Sequence, residues 1–132
     1  MDDIVTRTAK IWLGKDGIVH LQPYARREQT LTDAIENVAG VRQVSGRMKR
    51  QLLIHFQEAA PQTHECRNYY MSEEATRSLT ATAVVTSSML GRFIGNLMIG
   101  MNTTGIPVRL FHNDEAATTW LGSLSDRRES RA

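Results

Sequence analysis

The chain has 132 residues, 41% of them hydrophobic and 23% charged, which suits one folded domain with a substantial core. Its pI is near 9.0, but the formal net charge is only +2. Nucleic-acid-binding proteins usually gather many more cations on one face, so the composition argues against nucleic acid as a partner.

The first predicted elements are two strands, "TAKIWL" and "IVHLQ", joined by a tight turn at "KDG". Gly17 supplies the positive φ that such a turn needs. Alternation along the first strand places Ala9, Ile11 and Leu13 on the same side. The pattern therefore predicts an N-terminal β-hairpin with one apolar face.

The next stretch, "TLTDAIENVAGVRQVSG", is typical of a helix. Thr30 and Asp33 resemble a capping box at its start, and Gly46 offers a stop. Gly40 inside the pattern weakens the helix. Apolar residues recur at helical spacing: Leu31, Ile35 and Val38.

Strands and helices then alternate. "QLLIHF", "TATAVVTS" and "PVRLF" read as strands, and the first of them should be buried on both faces. Between them, "APQTHECRNYYMSEEATRSL" predicts one or two helices and "SMLGRFIGNLMIGM" predicts another, with "HNDEAATTWLGSL" as the last. We expect an α/β fold with a mixed, mostly parallel five-stranded sheet and about four helices. It forms one domain over residues 5–125, followed by a mobile basic tail at 126–132.

The sequence contains no catalytic, nucleotide-binding or metal-binding motif, so it predicts a non-enzymatic protein with no cofactor and no metal. His55, near the end of a central strand, has two interpretations. It is a hydrogen-bonded structural histidine, or it is a pH-responsive or ligand-contacting group at the carboxyl end of that strand. An enzyme would need His55 to reach Ser87 or Ser88, and we expect separation instead.

The helix predicted at "SMLGRFIGNLMIGM" is apolar almost all round. One arc, which includes Leu97, should face the sheet. The opposite arc would normally be charged, yet it is largely apolar, which favours an interface with a second copy of the chain. The residues assigned to this interface are Met89, Arg92, Phe93, Gly95, Asn96 and Ile99. A protein-interaction domain that forms a homodimer, and that takes an unidentified protein partner, is the first functional prediction.

The alternative function is binding of a small apolar or anionic metabolite or lipid. The ligand would lie at the carboxyl ends of the central strands, near His55, Ser87, Arg92 and Asn96. Arg92 could then meet an anionic head group at the start of its helix.

The single cysteine, Cys66, excludes an internal disulfide framework and fits a reducing compartment. No signal peptide is visible, and the apolar segment from Met89 to Met101 is far shorter than a membrane span of about 20 residues. We therefore expect a cytoplasmic protein that does not bind a membrane.

Several spaced residues together resemble a known family. They are Phe93, Asn96 and Asn102, then Pro107 and Phe111, then Ala117, Trp120 and Leu121, preceded upstream by Arg67, Tyr70, Ser72 and Glu74. Over residues 8–124 the chain is similar to the small bacterial SpoIIAA-like domains of the STAS and CRAL-TRIO-like superfamily. That resemblance implies an α/β sandwich that often self-associates, mostly without an assigned function.

The resemblance also implies two activities of more distant relatives. STAS relatives that act as anti-sigma-factor antagonists are switched by phosphorylation of a serine after a central strand, but the corresponding "IHFQEAAPQTHE" contains no serine. CRAL-TRIO relatives hold lipids in a deep cavity, for which a chain of this length leaves little room.

Overall fold

A computed structural model of the chain describes residues 3–25, 27–56, 61–86 and 105–131. It contains six strands and four helices over these residues. The strands are β1 (Ile4–Val5), β2 (Ala9–Leu13), β3 (Val19–Pro23), β4 (Arg50–His55), β5 (Leu79–Val85) and β6 (Val108–Phe111). The helices are α1 (Leu31–Ser45), α2 (His64–Tyr70), α3 (Glu73–Thr76) and α4 (Asp114–Arg131).

The six strands form one sheet in which spatial order follows chain order, β1-β2-β3-β4-β5-β6. The first three strands pair antiparallel, and β3 to β6 pair in parallel. The α/β class, the mixed sheet and the hairpin are therefore confirmed. The predicted count of five strands misses β1, which is only two residues long and too short to show a period.

Local chemistry sets the predicted boundaries. Gly17 and Gly46 both have positive φ, 81° and 70°, and they lie at the hairpin turn and after the last residue of α1. Thr30 and Asp33 form a complete capping box at the start of α1. Helix α4 continues through Arg131, so it includes most of the segment that the sequence assigned to a tail.

The two faces of the sheet carry separate cores. On the α1 face, strand residues pack against α1; this core comprises Ala9, Ile11, Val19, Leu21, Val41, Val44, Leu52 and Leu79. On the α4 face, Ala117 and Leu121 of α4 pack on β4 and β5; this core comprises Ile18, Leu53, Ala81, Ala83, Ala117 and Leu121. Adjacent Leu52 and Leu53 are both buried, on opposite faces, which confirms the prediction for β4.

Candidate functional site

An apolar cavity of about 160 Å³ lies on the α1 face of the sheet. Helices α1, α2 and α3 line one side of it, and β3 to β6 line the other. It reaches the carboxyl ends of β3 and β4 at Pro23 and Phe56. Its apolar lining includes Leu21, Val38, Val41, Leu52, Ile54, Ala75, Leu79, Val84, Ile106 and Val108.

Tyr70 and Gln29 form a polar wall of the cavity, and hydrogen bonds join this wall to Asn37, Thr8 and Thr6. Tyr70 Oη donates to Gln29 Oε1 at 2.6 Å and accepts from Asn37 Nδ2 at 2.9 Å. Asn37 Nδ2 also donates to Thr8 Oγ1 at 3.0 Å, and Thr6 Oγ1 donates to Asn37 Oδ1 at 2.6 Å. Burial raises the pKa of the Tyr70 phenol, so it stays protonated and presents a fixed hydroxyl near the cavity.

Backbone hydrogen bonds hold the loop before α1 at this wall, and an ion pair holds the start of α1. The Gln29 N–H donates to the Pro61 carbonyl at 2.9 Å, and the Thr63 N–H donates to the Gln29 carbonyl at 3.1 Å. Arg7 forms a bidentate salt bridge with buried Asp33, in which Nε donates to Oδ1 at 2.8 Å and Nη2 donates to Oδ2 at 2.5 Å. The guanidinium keeps the pKa of Asp33 well below its usual range.

A second cluster lies on the α4 face, where three aromatic rings come together from β2, β3 and β4. His20 Nδ1 and His55 Nε2 are 2.9 Å apart, and the two ring planes differ by 14°. A hydrogen-bonding distance between nearly parallel rings places them edge to edge. Trp12 lies parallel to both, with its centroid 5.2 Å from that of His20 and 5.5 Å from that of His55.

A carboxylate faces the outer nitrogen of each histidine. Asp114 Oδ1, in the first turn of α4, is 3.4 Å from His55 Nδ1, and Asp16 Oδ1, in the hairpin turn, is 3.8 Å from His20 Nε2. Both imidazoles are largely buried, with side-chain exposures of 14% for His20 and 17% for His55. Burial lowers the pKa of His55, although the Asp114 carboxylate acts in the opposite direction.

The structure separates His55 from the cavity. Its neighbours Ile54 and Phe56 line the cavity, whereas the His55 ring lies on the α4 face with Trp12 and His20. His55 contacts a neighbouring helix, α4, through Asp114. The other predicted site residues lie outside the described part of the chain: Ser87, Met89, Arg92, Phe93, Gly95, Asn96 and Ile99.

Sequence reasoning missed Trp12, His20, Gln29 and Tyr70 as site residues. A signal existed for one pair, because Trp12 and His20 lie directly opposite each other in the predicted hairpin. No such signal joins Tyr70 to Gln29, which are 41 residues apart.

Burial raises the pKa of the Cys66 thiol to about 11, so this cysteine is not activated as a nucleophile.

Over the residues described, no group of three or more histidine, cysteine or acidic side chains is arranged to hold a metal. Within the same ranges, every helix is too short or too polar to cross a membrane.

Comparison with known families assigns the chain to one of them. It belongs to a family described as a domain of unknown function (DUF7793), whose model matches residues 11–125. No curated protein matches the chain.

The chain is similar to the crystal structure of an uncharacterised DUF3478-family protein from Shewanella loihica PV-4, which has a SpoIIAA-like fold. The TM-score is 0.63 and the identity 11%, over 86% of this chain and 91% of that chain. The predicted SpoIIAA-like fold is therefore confirmed. A protein of unknown function from Arthrobacter sp. FB24 is 23% identical over 89% of this chain and 95% of that chain, with a TM-score of 0.28. The family and both proteins are described without an activity.

Proposed function

We propose that this member of the DUF7793 family is a binding domain for a small apolar molecule, held in the cavity between the sheet and helices α1 to α3. The cavity itself is the observation that carries the proposal. Small-molecule sites are typically concave and mostly apolar with a few placed polar groups, and this cavity of about 160 Å³ has that lining.

The volume restricts the class of ligand. An engineered apolar cavity of about 150 Å³ accepts benzene, whereas drug-sized ligands occupy pockets of roughly 300–1,000 Å³. A cavity of about 160 Å³ therefore suits a small aromatic ring or a short branched hydrocarbon group better than a long-chain lipid. The polar wall at Tyr70 and Gln29 suits a ligand with one hydrogen-bonding group at an end.

The lining favours binding over catalysis. The described residues around the cavity are apolar, apart from amides, hydroxyls and one phenol, and they include no carboxylate, imidazole, thiol or amine. General acid–base or nucleophilic chemistry needs such a group in contact with the substrate. The proposal is therefore a non-enzymatic binding protein. We place it in the cytoplasm because its single cysteine fits a reducing compartment.

Benzene is the probe for this proposal. At a concentration tenfold above Kd, it should stabilise the protein by about 1.4 kcal/mol and raise Tm by about 3–5 °C. In methyl NMR spectra, resonances of cavity residues such as Leu52, Ile54 and Val84 should shift. Those of Leu53 and Leu121, in the core of the α4 face, serve as the internal control and should stay in place.

A filling variant provides the matched control. Val84→Phe places a ring in the cavity and should abolish the benzene-induced rise in Tm, while Val5→Phe adds the same ring at a site that is 67% exposed. The Val5→Phe protein should respond like the unmodified one. Native mass spectrometry comes first, to show whether the purified protein carries a bound small molecule. If protein without a bound molecule shows no change in Tm or in the cavity methyls on addition of benzene, the proposal is wrong.

A further inference from the structure

The backbone fixes the direction of the hydrogen bonds that lead to the polar wall of the cavity. Thr6 Oγ1 accepts from two backbone N–H groups, that of Thr8 at 3.3 Å and that of Ala9 at 3.1 Å. A hydroxyl has two lone pairs and one proton, so only the proton remains for the Asn37 side chain, 2.6 Å away. The Asn37 atom that faces Thr6 must therefore be the amide oxygen, Oδ1, because an N–H group would find no lone pair there.

This direction continues along the network to Gln29. Since Oδ1 of Asn37 faces Thr6, its Nδ2 donates one proton to Thr8 Oγ1 at 3.0 Å and the other to Tyr70 Oη at 2.9 Å. The Tyr70 hydroxyl then donates its own proton to Gln29 at 2.6 Å. Gln29 must therefore turn its amide oxygen, Oε1, toward Tyr70, and Nε2 with its two N–H groups forms the other end of the amide.

Within the ranges that the structure describes, Gln29 Nε2 has no hydrogen-bond acceptor. Gln29 lines the cavity and is only 2% exposed, and its backbone N–H and carbonyl are bonded to Pro61 and Thr63. The cavity is therefore the space that is open to the two N–H groups. A buried N–H group without a partner costs free energy, and a ligand recovers that cost only if it brings an acceptor.

We infer that the ligand of the cavity is a small, uncharged carbonyl compound, such as a ketone, whose oxygen accepts from Gln29 Nε2. This inference rests on the function proposed for the cavity and names its ligand class. A carbonyl oxygen has two lone pairs and no proton, whereas a hydroxyl group brings a proton that needs an acceptor of its own. The described lining contains no lysine, arginine or histidine, so a carboxylate would be buried there without a counter-charge.

Cyclohexanone and methylenecyclohexane are a matched pair of probes, because a CH₂ group replaces the carbonyl oxygen on the same ring. Both are titrated by NMR into the full chain, which has been dialysed free of any bound small molecule and checked by native mass spectrometry. We expect both to bind. The affinity for cyclohexanone relative to methylenecyclohexane should fall about tenfold in Gln29→Met, because the carbonyl loses its donor. Comparison of this ratio between proteins cancels the difference in hydration of the two probes.

Gln62→Met is the matched control. It makes the same change at the other amide of the lining, which is partly exposed, and should leave the affinity ratio as it is in the unmodified protein.

Spectra of the unmodified protein provide a readout that does not depend on the folding of Gln29→Met. One side-chain N–H proton of Gln29 should move downfield with cyclohexanone and not with methylenecyclohexane, because only the ketone accepts a hydrogen bond. If methylenecyclohexane binds and cyclohexanone does not, if this proton stays in place, or if Gln29→Met keeps the affinity ratio, the inference is overturned and the cavity remains a site for apolar molecules. If neither compound binds, the function proposed for the cavity fails as well.

Discussion

Asn37 lies in the middle of α1 with its side chain fully buried, a position where a polar residue normally destabilises a protein. Here its amide bonds Thr6, Thr8 and Tyr70, and Tyr70 in turn bonds Gln29. These bonds hold the segment at Thr6 and Thr8 and helix α2 against α1, and they join α2 to the loop before α1. At the scale of single residues, the polar groups of this network therefore bond one another. Removal of one side chain leaves the group that it bonded without that hydrogen bond, away from water.

Tyr70→Phe tests this network. The change keeps the ring but removes the hydroxyl that joins Asn37 to Gln29, so the free energy of unfolding should fall by about 1–3 kcal/mol. Urea denaturation measures it. Tyr69→Phe, which removes the neighbouring hydroxyl outside the network, should change stability by less than about 0.5 kcal/mol. Equal losses in the two variants would contradict the assignment.

Asp33 predicts a particular dependence of stability on pH. Its pKa in the folded protein lies below the value of about 3.9 expected in the unfolded chain, because Arg7 stabilises the carboxylate. The folded state therefore gains stability from Asp33 above the unfolded pKa, and that gain is lost as the pH falls toward the folded pKa. Unfolding free energies of the unmodified protein and Asp33→Asn should differ most above about pH 5, and the difference should shrink as the pH falls below about 3.9 toward pH 2. A constant difference across this range would contradict the prediction.

Helix α1 approaches the sheet closely because it carries a glycine where it crosses β2. A Cβ on Gly40 would come within 2.7 Å of Ile11 Cδ1 and 3.4 Å of Ile4 Cγ2. In the sequence this glycine only weakens the helical pattern, whereas in the fold it permits the contact between helix and sheet. At the scale of elements, helix propensity and packing thus favour different residues at one position, and packing decides.

Gly40→Ala should be destabilising by about 1 kcal/mol or more, because overpacking against buried Ile11 outweighs the gain of about 1 kcal/mol in helix propensity. Ile11→Val removes the clashing methyl, so the double variant should be more stable than the sum of the two single changes predicts. Gly122→Ala is the control: a Cβ added there in α4 would meet no atom within 4 Å apart from its chain neighbours and the nearby helix backbone, so the change should stabilise the protein. Thermal denaturation compares all four proteins.

The elements that could be predicted from sequence are those set by local chemistry. The hairpin turn at Gly17 and the capping box of Thr30 with Asp33 both depend on residues within a few positions of one another. The cavity and the pairing of His20 with His55 depend on which strands become neighbours, and the period of a single strand does not contain that information.

For the whole molecule, self-association stays a prediction that rests on the apolar character of residues 89–99, outside the described part of the chain. We expect light scattering at micromolar concentration to give the mass of a dimer. Phe93→Glu and Ile99→Glu should produce a folded monomer because they place charge in the interface. Leu97→Glu, on the predicted sheet-facing arc, should instead lose the folded circular dichroism signal. A monomer in the unmodified protein would contradict the prediction.

The order of the strands in the sheet has a consequence for how the protein forms during synthesis. Each strand pairs with the one made just before it, so the nascent chain can extend the sheet at one edge without waiting for a distant segment. The antiparallel hairpin forms fastest because its loop is shortest, and it provides the template on which β4, β5 and β6 are added in turn. The histidine pair becomes complete only when β4 is added, and its Asp114 contact only with the final helix. Assembly in this order runs in the direction of translation, and the histidine pair with its Asp114 contact is finished last.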